Sequence, residues 1–239
     1  PTHIFIQHGM WDLVSGHNES AYSAARELWR PGQSMGDAIH SLDWGHYGDL
    51  QRGDYEKARL WIERIEAMSS QGGFAEGGAR GASGAARAMN TVALTKNRYI
   101  VDTEEWQIQD ITEDSPDHQL LATALSAYHN KDQATLAAAE QELKRRVDSG
   151  DGGYTSIMAN QTSALLHAGM NHPDVAVRFF DQAVETITPM APPRGSANPI
   201  KPVFEMYGEV LVDLGRNADA VDQFATSLQR MPNRPRSLL

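Results

Sequence analysis

The chain has no cysteine in its 239 residues, which excludes disulfides, thiolate metal sites and cysteine nucleophiles. No apolar run is long enough to cross a bilayer as a helix. Basic residues are scarce: 21 Lys+Arg stand against 31 Asp+Glu, a net charge of −10. Nucleic acid and anionic membrane both need a cationic surface, so neither is expected as a partner. Complete catalytic motifs are missing as well. There is no G-x-S-x-G and no H-E-x-x-H. The stretch GGFAEGGARG lacks the Gly-Lys-Ser/Thr ending of a phosphate-binding loop, and no strand precedes it. The expectation is a non-catalytic protein without a cofactor. No leader is visible, yet the chain starts at Pro1 rather than methionine, so a processed or partial chain is expected.

What is present is helical periodicity. In residues 201–233, Phe204, Tyr207, Gly208 and Leu211 recur at i, i+3, i+4 and i+7. Gly215 interrupts the pattern, Ala220, Phe224 and Leu228 restart it, and Pro232 closes it. This order of large, small, turn, small, large and proline is that of a tetratricopeptide repeat. It describes a helix hairpin in which Gly208 and Ala220 let two backbones approach closely. Such a hairpin cannot bury its apolar face alone and implies neighbours of the same kind.

The same grammar recurs in weaker form. Hairpins are expected over about 1–30, 34–68, 85–114, 117–147, 154–187 and 201–231, with a short helix around Trp106. Gly53 is expected at a turn, Gly45 where two helices cross, and Leu121, Tyr128, Ala137, Ala58, Ala176 and Ala220 facing inward. Residues 69–84, with six glycines, read as a surface loop, and residues 189–200 as a proline-rich linker. The fold class is all-α: one domain over 1–239, a right-handed α-α superhelix of degenerate hairpins, with no strand.

Three segments sharpen the reading: PTHIFIQHGMWD, HSLDWGHYGDLQRGDYEKA and IKPVFEMYGEVLVDLGRNADAVDQFATSLQRMPNRPRSLL. Together they resemble a bacterial group of tetratricopeptide-repeat proteins that carries a P-[ST]-H-I-[FY] helix end and a K-P-x-x-E-x-x-G-E helix start. The resemblance implies an all-α superhelix and no particular chemistry. This chain has Phe204 where related sequences often carry a polar residue.

Candidate binding residues follow from the habit of such arrays to line their concave side with the first helix of each hairpin. The polar first-helix residues are His3, His40, Asp43, Tyr47, Asn160, Gln161 and Glu205, with Lys201 near Glu205. Five of the nine histidines lie in the first 46 residues: His3, His8, His17, His40 and His46. His40, Asp43 and Tyr47 share one helix face at i, i+3 and i+7. Asp43 is placed to orient the His40 imidazole, and His3 to approach His40 from the preceding first helix. His46 lies about 120° around the helix from His40, so the two cannot share an ion. The five tryptophans read as wedges between helices, with one candidate for an exposed anchor.

The expected function is recognition of a peptide or protein on the concave face. The alternative is a small-ligand or metal-binding pocket, even an enzyme, built from His3, His40 and Asp43. Acidic residues gather at Glu104, Glu105, Asp110, Glu113, Asp114 and Asp117, which reads as a solvated face or a dock for a basic partner. At the chain ends, Ile4 and Phe5, and Val210, Leu214 and Leu228, are expected to form exposed apolar edges. Such edges favour homo-oligomerisation through a terminal repeat or covering by further chain.

Overall fold

The expected turns at Gly53 and Gly215 are both made with left-handed backbone, each at φ 75°. The structure is a computed structural model and describes residues 2–30, 33, 35–70 and 81–238. Among these there are eleven α-helices, one short 3-10 turn at Pro235–Ser237, and no strand. No helix among them is long and apolar enough to cross a membrane. The helices gather into two compact units: Pro1–Thr103 with Arg194–Ser196, and Glu104–Pro193 with Ala197–Leu239.

The first unit holds α1 (Thr2–Gln7), α2 (Trp11–Leu28), α3 (Gly36–Arg52), α4 (Tyr55–Ser70) and α5 (Gly81–Thr103). Helix α3 packs against α2, α4 and α5, so it is buried on most of its circumference. Its Leu42, Ile39 and Ala38 form a core with Trp61, Ile65 and Met68 of α4, flanked by Tyr22 and Trp29. Gly45 sits at the crossing, as its spacing predicts: a Cβ there would lie 2.6 Å from the Trp61 ring. The indole N–H of Trp61 donates to the buried Asp49 carboxylate at 2.6 Å, which satisfies both groups. The glycine-rich loop expected at 69–84 lies largely outside the described residues. At its edges, α4 runs to Ser70 and α5 begins at Gly81, earlier than the expected residue 85.

The second unit holds α6 (Asp117–His129), α7 (Gln133–Asp148), α8 (Tyr154–Gly169), α9 (Pro173–Ile187), α10 (Val203–Asp213) and α11 (Asn217–Arg230). Helix α8 packs on α6, α7, α9 and α10. Asp132 caps α7 by accepting the Thr135 N–H at 3.1 Å, and Pro173 opens α9, where its missing N–H costs no bond. Gly208 allows α10 to press on α11; a Cβ there would stand 2.8 Å from the Phe224 ring. Ile157, Ala183, Ile187, Val203 and Phe204 form one core cluster.

Several expectations need correction. No helix forms around Trp106: residues 104–116 are an irregular strap. Glu104 takes a left-handed φ of 59° at its start, and the Gln107 N–H donates to Ser126 Oγ of α6 rather than to a helical carbonyl. On α7 the inward stripe is Leu136, Ala139 and Leu143, at i, i+3 and i+7, and Ala137 is only half-buried. Ala58, Ala176, Ala220 and Leu121 are buried as expected, whereas Tyr128 is half-buried. Ile4 is 59% exposed, but Val210 is buried, and Leu214, Leu228 and Phe5 are intermediate.

Candidate functional site

In the first unit the side chains of α3 that share a face enter different environments. His40 is exposed and lies against Trp44, ring centroids 4.2 Å apart. His3 of α1 meets the same indole edge-on at 4.1 Å, and the two imidazoles are 6.0 Å apart. The expected approach of His3 to His40 is therefore present, with Trp44 as the common floor. His3 Nδ1 lies 3.2 Å from the Arg194 carbonyl oxygen. A carbonyl only accepts, so Nδ1 is the donor in that bond.

The Asp43 carboxylate is turned to a different task from the expected one: it receives Arg98 Nη1 at 2.9 Å, and the Arg98 guanidinium is fully buried. A buried guanidinium requires a counter-charge, and Asp43 is the carboxylate within its reach. Arg98 also donates to Ser196 Oγ at 2.9 Å and lies over the Tyr47 ring. Tyr47 is buried and packs edge-on against Trp11, so it supports the face and offers no surface to a partner. The set of His3, His40 and Asp43 is thus not assembled around one point. Among the described residues, no group of three histidines or carboxylates is arranged to hold a metal ion.

His46 completes this buried cluster. Its Nδ1 stands 3.4 Å from Arg98 Nη1. Burial, and then the Arg98 charge, hold its pKa well below the usual histidine range. The ring is neutral, with the lone pair on Nδ1 facing the guanidinium.

In the second unit Asn160 is half-buried on α8, and Gln161 is buried. Gln161 Nε2 donates to the Lys201 carbonyl at 2.9 Å and touches Met206 Sδ, so it fastens the approach to α10. Glu205 is fully buried too. Its carboxylate receives Arg234 Nε at 2.7 Å and Arg234 Nη2 at 3.1 Å, a two-pronged pairing. Ser237 Oγ donates to it at 2.9 Å, and Lys201 Nζ lies 3.1 Å away. Burial alone would raise the Glu205 carboxyl; Arg234 and Lys201 outweigh it and hold it at about 2. Lys201 also pairs with Glu209 at 2.5 Å. Burial raises the Glu209 carboxyl, and Lys201 offsets this only in part.

Around this charged core lie Trp106 and His129, stacked at 4.2 Å, and Arg236, whose Nη1 pairs with Glu104 at 2.6 Å. Tyr128 directs its hydroxyl toward Asp213 at 3.5 Å; burial first, then Asp213, pushes its pKa up to about 12.

Of the residues picked from sequence, His3 and His40 reach solvent, while Tyr47, Gln161 and Glu205 are buried supports. Arg98, Arg234 and Glu209 escaped the sequence reading. Glu209 carries a signal, because Glu205 and Glu209 fall at i and i+4 on one face of α10, with Lys201 four residues ahead of Glu205 just before the helix. The two arginines carry none, since they come from distant segments. Comparison with known proteins finds no matching family model, no matching curated protein and no matching solved structure.

Proposed function

We propose that each unit is a short stretch of tetratricopeptide-like right-handed superhelix, and that the protein binds a peptide or protein partner on the face formed by its first helices. The packing pattern supports this reading. In the second unit α8 touches its own hairpin partner α9, the preceding hairpin α6–α7, and the next first helix α10. In the first unit α3 packs on its partner α4, the preceding α2 and the following α5. Hairpins stacked in register make such contacts.

The observation that carries the binding reading is the His3–Trp44–His40 cluster. Two exposed imidazoles from successive first helices flank a 7%-exposed indole. Each exposed imidazole joins an aromatic face to polar ring nitrogens, a combination suited to anchoring a peptide chain. The neighbouring Asp43–Arg98–Ser196 bonds hold the floor rigid.

Selection of peptides from a random displayed library against the immobilised chain tests the proposal. Affinities of the selected peptides for His3→Ala and His40→Ala variants are compared with those for Val221→Ser. Val221 is an exposed residue of the outer helix α11. At least a ten-fold loss at the histidines and none at Val221 is expected. Equal affinities across the three variants would sink the chosen face.

A further inference from the structure

Residues 231–238, MPNRPRSL, follow α11 and turn back over α10. Asn233 takes a left-handed φ of 56°, which reverses the chain, and Arg234 is extended at φ −71°, ψ 118°. Arg234 is fully buried with its guanidinium forked on Glu205. Two residues on, Arg236 reaches Glu104 at the start of the strap. Ser237 Oγ bonds both Glu205 and Ser227 Oγ, the latter at 2.8 Å. The segment is thus held by side-chain contacts to α10, to α11 and to the strap.

Contacts of this kind are interchangeable. They need an arginine in extended backbone followed by a single tight turn that carries a second arginine two residues on and a short hydroxyl side chain after it, whichever chain supplies it. Without the two arginines, the receptor side would present Glu205, Glu209 and Glu104 with Lys201 as the cation among them. Carboxylates would outnumber cations, and one of the carboxylates is fully buried. A planar, weakly hydrated guanidinium satisfies a buried carboxylate by two parallel bonds, which an ammonium cannot do.

The geometry points to an arginine-recognition site on α10 that the chain's own segment 232–238 occupies in cis, and that takes an Arg-Pro-Arg-type turn segment of a partner protein in its place. This inference rests on the reading of the first-helix face as the binding surface and names what part of that face selects. The tethered segment competes at an effective concentration on the order of millimolar, so it acts as an internal inhibitor that a partner must displace.

The test uses the full chain carrying Arg234→Ala and Arg236→Ala, with circular dichroism confirming its fold. The probe is a fluorescein-labelled peptide of sequence MPNRPRSL, followed by anisotropy. The double variant is expected to bind it at least ten-fold more tightly than wild type. Replacing both peptide arginines by citrulline, or adding Glu205→Gln to the variant, is expected to abolish binding. A folded double variant that binds neither this peptide nor ethylguanidinium overturns the site and marks the segment as a structural clasp only. If the double variant does not fold, wild type decides. Excess MPNRPRSL, and not its citrulline form, should speed hydrogen exchange of the Ser237 and Leu238 amides at least three-fold; unchanged exchange overturns the inference. If those outcomes overturn the site while library-selected peptides still depend on His3 and His40, this inference has failed and the broader reading stands.

Discussion

Arg98 Nη1 lies 2.9 Å from Asp43 Oδ1, and this bond joins α5 to α3 across 55 residues of sequence. The guanidinium is buried and the carboxylate is one-fifth exposed. Asp43→Asn therefore leaves a buried cation without its counter-charge, and a loss of about 3 kcal/mol is expected in urea unfolding. Replacing both residues by apolar ones, Asp43→Leu with Arg98→Met, should cost less than Asp43→Asn alone. A double variant that loses the sum of the two single effects would show that the pair is not coupled. Binding studies that use an Asp43 variant must be read against this loss of stability.

His46 gives the first unit a pH dependence. It is buried against Arg98, with Asp43 and Tyr47 beside that guanidinium, and its folded pKa is held well below the ordinary 6.5. The unfolded chain binds the proton first, so stability is full above pH 6.5 and falls as pH drops toward the folded value. Urea midpoints between pH 8 and pH 5 should decline more steeply for wild type than for His46→Gln. Parallel slopes would remove His46 as the cause.

Glu205 acts in a lower window. Its carboxyl is held at about 2 in the fold against an ordinary 4.5. Its contribution is present above pH 4.5 and is lost as pH falls toward 2. Glu205→Gln should cost about 3 kcal/mol at neutral pH, because Arg234 and Lys201 lose a buried counter-charge. The stability gap between wild type and variant should stay constant down to about pH 4.5 and close below it. A gap that already narrows between pH 7 and pH 5 would contradict the assignment.

Gly208→Ala tests the close approach of α10 to α11. The added methyl would meet the Phe224 ring at 2.8 Å, and a loss of about 1–3 kcal/mol is expected from forced repacking. Phe224→Leu in the same chain should restore part of it. Gly16→Ala is the control: it lies within α2 with nothing within 4 Å of its Cβ, so a gain of about 0.5–1 kcal/mol in helix stability is expected. Thermal unfolding of the variants separates the effects, and a neutral Gly208→Ala would show that the helices can part at no cost.

The helices were legible because 3.6-residue periodicity is local. Phe204, Tyr207 and Leu211 mark one face of α10 before any partner is known, and Gly45 and Gly208 stand out as the small residues such a crossing needs. The strap at 104–116 was not legible. Its backbone is satisfied by tertiary bonds, such as Gln107 N–H to Ser126 Oγ, instead of by its own helix. The candidate site divides in the same way. Spacing placed His40, Asp43 and Tyr47 on one face and brought His3 toward His40, since those positions follow from helix geometry and hairpin order. Only the tertiary structure decided that Asp43 serves Arg98, that Tyr47 is buried, and that Glu205 meets Arg234. Ion pairing in a buried site is chosen by which charges packing strands out of water together, and residues 55 or 29 positions apart carry no periodicity that could announce it.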